Sequence, residues 1–171
     1  MKISISKILC PVDFSFTSAW ATRYAVAFAE AHDATLMLLQ VVPLPSLQLP
    51  GYYGIDGVEL ELGGVMFGMS APWNTGLDNE ADDDDTKLER LAQALGRRHS
   101  CEVEAQKRTG KPFLEIIRMA KDEEADLIVM GTHGRTGLPH VLIGSTAEKV
   151  VRMAPCPVLT VRRPEHGFVM P

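Results

Sequence analysis

The sequence predicts an α/β protein: a single domain on a doubly wound, five-stranded parallel sheet with helices on both faces. Three observations carry this. The length of 171 residues suits one domain. Hydrophobic periodicity switches repeatedly between β-like and helical stretches. Strands separated by helical crossovers pair in parallel and are covered on both faces. Composition agrees, with 46% apolar and 23% charged residues, as in ordinary globular chains. A chain this long buries about 70% of the surface it exposes when unfolded, so it needs no disulfide or metal staple.

Residues 3–10 (ISISKILC) form the first β run, ending at Pro11-Val12-Asp13. Ser15, Thr17 and Ser18 offer N-caps for a helix to about His32, with Trp20, Tyr24, Ala27, Phe28 and Ala31 along one face. Residues 35–42 (TLMLLQVV) are nearly all apolar, as in a strand covered on both sides. Leu88, Leu91, Ala92 and Leu95 recur at helical spacing. Residues 101–107 (CEVEAQK) alternate and read as a more exposed strand. Pro112 suits the first turn of a helix whose inner face is Phe113, Ile116, Ile117 and Ala120. Residues 126–131 (DLIVMG) form a buried strand, Ala147, Val150, Val151 and Ala154 a fourth helical stripe, and residues 157–162 (PVLTVR) the last strand.

Two stretches interrupt this rhythm. Residues 43–77 hold seven Gly, four Pro and no Lys or Arg, and a connection this long is a lid, a binding segment or disordered. Residues 78–85 (DNEADDDD) follow with six acidic groups. They read as the lead-in to the next helix, where negative charge suits the dipole. An acidic metal site is the sharper alternative, weakened because adjacent carboxylates repel rather than converge.

The net charge of −5 argues against a nucleic-acid partner, whose phosphates demand clustered Lys and Arg. Residues 1–85 carry 3 basic and 12 acidic groups, whereas residues 86–171 carry 14 and 10, which places any anion site in the second half. The opening residues lack the apolar core of a signal peptide, and no 18 apolar residues run together. Cys10, Cys101 and Cys156 lie far apart without Cys-x-x-Cys spacing and read as buried thiols of a reducing compartment. The expectation is a soluble cytoplasmic protein with no membrane partner.

The chemistry concentrates in Gly131-Thr-His-Gly134-Arg-Thr-Gly137, continuing to Gly144-Ser145-Thr146-Ala-Glu148. This stretch follows a buried strand and precedes a helix. Glycines there let backbone N–H groups approach an anion, and a helix start adds more of them. It is not a P-loop, since no G-x-x-x-x-G-K-[ST] occurs, and its glycine spacing is not that of a dinucleotide fold. The bland alternative is that the glycines shape a turn and Ser145 with Glu148 forms a capping box. Asp13 likewise reads either as a ligand contact or as a simple cap. His133 would meet phosphate or face water. Arg135 would neutralise phosphate or sit on the surface, and Lys111 is a weaker phosphate candidate.

The pattern G-x2-G-x9-G-[ST] after D-L-I-V-M-G and before P-C-P-V-L-x-V resembles the universal stress protein family, in particular its ATP-binding subgroup. The opening K-I-L-C-P-V-D-F-S and the middle G-K-P-x-x-x-I, from Gly110 to Ile116, match as well. The resemblance covers residues 3–42 and 86–163 and fails over the insertion at 43–85. It implies strand order 3-2-1-4-5 and a domain over 1–165, leaving 166–171 as a tail. It also implies binding of ATP with Mg²⁺ (or Mn²⁺). Pro11 and Met130 would line the adenosine pocket, with Val12 and Gly110 at its margins and the backbone around Val41 holding adenine. Asp13 would reach the ribose or a metal held by the phosphates. Gly131, Gly134, Gly144, Ser145 and Thr146, beside His133 and Arg135, would cradle the phosphates. No dedicated metal site is expected beyond the phosphates and Asp13.

No convincing general base or Ser-His-Asp arrangement stands beside this cradle, and an adenylyl-transferring enzyme would require an H-x-G-H motif that is missing. The function expected is therefore a stress-response regulator in which ATP biases a conformation, an oligomer or a protein partner, with slow hydrolysis at most. The competing reading is an interaction module that acts through 43–77 and its dimer surface. The last strand, 157–162, falls at a sheet edge in the implied order, and a homodimer pairing it with its copy is expected.

Overall fold

The computed structural model describes residues 4–43, 84–132 and 143–162. Strand β1 (Lys7–Pro11) leads to helix α1 (Phe16–His32) and strand β2 (Thr35–Val42). Helix α2 (Asp84–Arg98), strand β3 (Val103–Thr109) and helix α3 (Pro112–Asp122) follow. Strand β4 (Leu127–Gly131), helix α4 (Ser145–Met153) and strand β5 (Val158–Val161) complete the series. The sheet is parallel throughout, in the order β3-β2-β1-β4-β5. Among the described residues, no helix is long and apolar enough to cross a membrane.

Side chains alternate between two cores because successive strand residues point to opposite faces. Ile8, Cys10, Val12, Leu36, Leu38 and Val129 join α1 and α2 on one face. Leu9, Met37, Leu39, Ile128 and Met130 join α3 and α4 on the other. Strand β2 is buried along most of its length, as its apolar run requires, and the neighbouring edge strand β3 is largely half-exposed.

Several boundaries and faces differ from expectation. Strand β1 starts at Lys7 rather than residue 3, because the backbone N–H groups of Ser6 and Lys7 turn to the Asp126 carboxylate, at 2.7 and 3.0 Å. Strand β3 runs over 103–109, two residues later than 101–107, since its ladder follows β2 as far as Val42↔Thr109. The largest correction concerns α1. Its buried residues are Ser18, Ala19, Ala21, Thr22, Ala25, Val26 and Ala29, whereas Tyr24 is 46% exposed and Ala27 and Ala31 face outward. Small side chains let the helix lie close to the sheet, and the bulkier Trp20 and Phe28 are displaced to its flank. In α3, Met119 takes the buried place expected of Ile117, and Glu115 is buried beside it. In α4, Ala147 and Val150 face inward while Val151 is exposed. The insertion from 44 to 83, including most of the acidic run, and the tail 166–171 lie outside the described residues.

Cys10 is fully buried, with its Sγ 3.7 Å from Thr22 Oγ1. Burial pushes its thiol up to about 12 against an ordinary 9.0, partly offset by the contact with Thr22. Between these values the unfolded chain loses a proton that the folded chain keeps. Stability therefore falls as pH rises above the unfolded value, by about 1.4 kcal/mol per pH unit. Across this range the wild type should lose stability with pH more steeply than Cys10→Ala by that amount, as read by urea unfolding. An unchanged slope would contradict the burial.

Candidate functional site

Chain connections reverse direction between β1 and β4, the place where open α/β sheets hold ligands beyond their carboxyl ends. Three candidate residues make one wall there. Met130 is buried in the second core, Val41 packs against that core, and Pro11 lies two positions beyond Leu9 on the same face. All three therefore look toward the α3–α4 side. The Val12 side chain lies in the opposite core, and its N–H donates to Leu39 O at 2.8 Å. Only its carbonyl is left to serve a ligand.

The turn after β1 is tightly specified. Asp13 Oδ1 accepts the Ser15 N–H at 3.0 Å, and the Asp13 N–H donates to Ser18 Oγ at 3.3 Å. Ser15 is the N-cap of α1 and its Oγ accepts from Ser18 N–H at 3.2 Å. Between them Phe14 takes φ +59°, a left-handed conformation that costs an L-residue about 1–2 kcal/mol. Packing of Phe14 against the first core helps hold it there. Asp13 thus performs the local turn role through its carboxylate.

At the end of β4, Thr132 N–H donates to Val161 O at 3.0 Å and Gly144 N–H to Thr132 O at 2.7 Å. The chain therefore leaves and returns at one point. His133, Gly134, Arg135 and Gly137 lie outside the described residues. Gly144 is the N-cap of α4, so the cap residue itself has no side chain to offer that helix. Ser145 is its first residue, so the capping box with Glu148 is not formed; the Glu148 N–H donates to Gly144 O at 3.0 Å. The N–H groups of Ser145, Thr146 and Ala147 precede it and have no intrahelical acceptor. They supply a positive helix end at the crevice, alongside the half-buried Thr146.

Gly131 has a steric task of its own. A Cβ there would lie 2.9 Å from the Thr17 backbone carbon and 3.0 Å from its side chain, so glycine lets α1 start against β4. Gly110 stands further along the sheet, in the β3–α3 turn, where its N–H donates to Val42 O at 2.9 Å. It borders the Val41 wall rather than the glycine segment. Lys111, the N-cap of α3, is exposed. The sequence singles out Thr17 and Ser18 only as candidate caps, and Glu115 not at all. Nothing in the sequence pairs Thr17 with Gly131.

The sequence pattern of the universal stress protein family matches residues 4–162. Universal stress protein MJ0531 of Methanocaldococcus jannaschii is 33% identical over 160 residues, covering 93% of this chain and 83% of its own length. The solved structure of universal stress protein UspA from Lactobacillus plantarum superposes with a TM-score of 0.70 at 28% identity, covering 94% of this chain and 100% of that one. That of MJ0577, also a universal stress protein of M. jannaschii, gives 0.70 at 27% identity and covers 96% and 100%.

Gly131→Ala should destabilise the fold by about 1–3 kcal/mol, because the new methyl meets backbone that cannot rotate away. Thermal or urea unfolding checks this. A variant as stable as the wild type would show that α1 can retreat from β4.

Proposed function

The chain belongs to the universal stress protein family, and from that premise we propose a nucleotide-binding regulatory role, with an adenine nucleotide between the ends of β1 and β4. The observation that carries this reading is the shared face of Pro11, Val41 and Met130 together with the glycine-capped start of α4. The wall suits a flat base. The N–H groups at the start of α4 suit phosphates, and the Asp13 turn follows β1 at the same end of the sheet. ATP is the nucleotide that the full glycine segment favours. Mg²⁺ or Mn²⁺ would ride on its phosphates, keeping several waters, with Asp13 the nearest candidate protein ligand. Gly134, with His133 and Arg135 beside it, completes the cradle in this reading.

Two relatives have been solved with nucleotides: an Arabidopsis thaliana family protein with AMP bound and a universal stress protein in complex with cAMP. At 18% and 19% identity they share the fold with this chain, so the reading rests on the residues above. Occupancy rather than turnover is the output, with hydrolysis slow at most. Burial pushes the thiols of Cys10, Cys101 and Cys156 up, away from the thiolate a nucleophile needs. Stress response in the cytoplasm is the setting that fits such a switch.

Strand β5 stands at the sheet edge, and Val151 and Met153 of α4 are about half exposed. Among the described residues no strand pairs with the outer side of β5, and such an edge suits a second copy of the chain. That makes a homodimer through residues 157–162 the assembly on which the nucleotide would act. Partner proteins would then read the state of the dimer.

Calorimetric titration should show Mg²⁺-ATP binding to the wild type. Gly144 has φ −67° and ψ 155°, open to any L-residue. Gly144→Val should therefore weaken binding at least about tenfold in a protein that still folds, with a lowered melting temperature because Val is a poorer N-cap than Gly. A folded wild type that takes no nucleotide would overturn the proposal. Sedimentation with ATP at micromolar protein should give a dimer; a monomer would remove the β5 interface.

A further inference from the structure

Glu115 is an acidic side chain that the nucleotide reading leaves without a task, although it is only 9% exposed. A carboxylate so far from water requires charged or hydrogen-bonding partners. Its Oε1 lies 2.6 Å from Arg118 on the same helix, and its Oε2 lies 4.0 Å from Arg108 of β3. Arg108 also meets Asp122 near the end of α3 at 3.4 Å. The Arg118 and Asp122 side chains are 63% and 61% exposed, so their contacts are screened and contribute little. The Glu115–Arg108 contact is the sheltered one, with side-chain exposures of 11% and 24%.

Geometry ties this pair to the end of β2. Arg108 stands in register with Val41 and Thr109 with Val42. The next residue, Gly110, has φ +156°, which L side chains rarely adopt, and its N–H closes onto Val42 O. A Cβ at Gly110 would lie 2.9 Å from Glu115 Cγ, so the Glu115 stem already fills that space. Stability alone does not call for an ion pair here, because apolar residues of similar volume commonly serve as well or better. A charge that grips one strand while its stem props the following turn sets position.

We propose that Glu115 is a positioning residue for the base-binding wall: it holds Arg108 and the Gly110 turn so that the Val41–Val42 backbone presents a fixed edge to the purine. The inference rests on the nucleotide reading and adds the element that selects the base. Glu115 does not touch the nucleotide. It acts through β3 on β2.

The test compares ATP and GTP affinities, both with Mg²⁺, and melting temperatures, for the wild type and three variants. Glu115→Met keeps the stem and removes the charge. It should stay folded with a lowered melting temperature, since Arg108 and Arg118 lose a partner, while ATP affinity falls about tenfold and GTP binding is unchanged, so that the ATP/GTP ratio falls tenfold. Arg108→Met should reproduce that fall, and Asp122→Asn should leave the ratio intact. Should Glu115→Met fail to fold, Glu115→Gln replaces it with the same expectation for the ratio. A purely structural role predicts equal losses for both nucleotides, and that result overturns the inference. Wild-type binding with an unchanged ratio in the Glu115 variant overturns the inference alone. A wild type that binds neither nucleotide overturns the nucleotide reading together with it.

Discussion

The crevice depends on how closely α1 lies against the sheet. Helix α1 meets β1 and β4 through Ala21, Ala25 and Ala29, with Ser18 and Thr22 buried among them. At its first turn the Thr17 backbone fits only because Gly131 has no Cβ. Buried hydroxyls on such a face need partners, and those of Ser18 and Thr22 have them. Thr22 Oγ1 donates to Ser18 O at 3.0 Å, and Ser18 Oγ accepts the Asp13 N–H. The same line of small residues that brings the helix down therefore also shapes the Asp13 turn. Moving α1 outward by the width of a methyl group would alter the turn, the end of β4 and the gap between them together.

Parallel pairing then divides the work between the two faces of the sheet. On the α1–α2 side, the side chains of Cys10 and Val12 belong to the core. On the α3–α4 side, the row from Leu9 to Pro11, from Leu39 to Val41 and from Ile128 to Met130 runs out of the core into the crevice. One residue of shift in register would exchange these roles, since strand side chains alternate with a period of two. The paired positions Leu9↔Met37 and Leu9↔Ile128 hold the register at the centre of the sheet. Apolar burial at Leu9 and Ile128 thus determines which side chains stand at the ends of the strands.

Much of this was legible in the sequence because it depends on local pattern. Strand β2 coincides with its apolar run, the start of α1 with Ser15, and the start of α3 with Pro112. The element order and the site's place after β1 and β4 followed from the alternation and the motif. The α1 face was misread because size was taken as the mark of burial, while close helix–sheet approach selects small residues. The capping box failed because Gly144, not Ser145, occupies the cap position. Glu115 was illegible: an acidic residue in the first turn of a helix reads as a dipole partner, and its burial needs Arg108 and Gly110 in place. These are contacts between elements, which no periodicity within one element records.

The glycines of the motif are consequently not equivalent. Gly131 is required by Thr17 whether or not a ligand is present, so its occurrence alone is no argument for binding. Gly144 carries no such demand in its backbone angles, and as the cap residue it has no side chain to offer the helix behind it. A helix that used Ser145 or a neighbouring side chain as a cap would satisfy its own N–H groups and gain about 1 kcal/mol. A glycine at the cap, at the end of a sheet where an anion can accept from the first helical N–H groups, forgoes that gain, a choice that a purely structural turn does not need. Within the glycine segment, the argument for a nucleotide therefore lies at Gly144–Thr146 and not at Gly131.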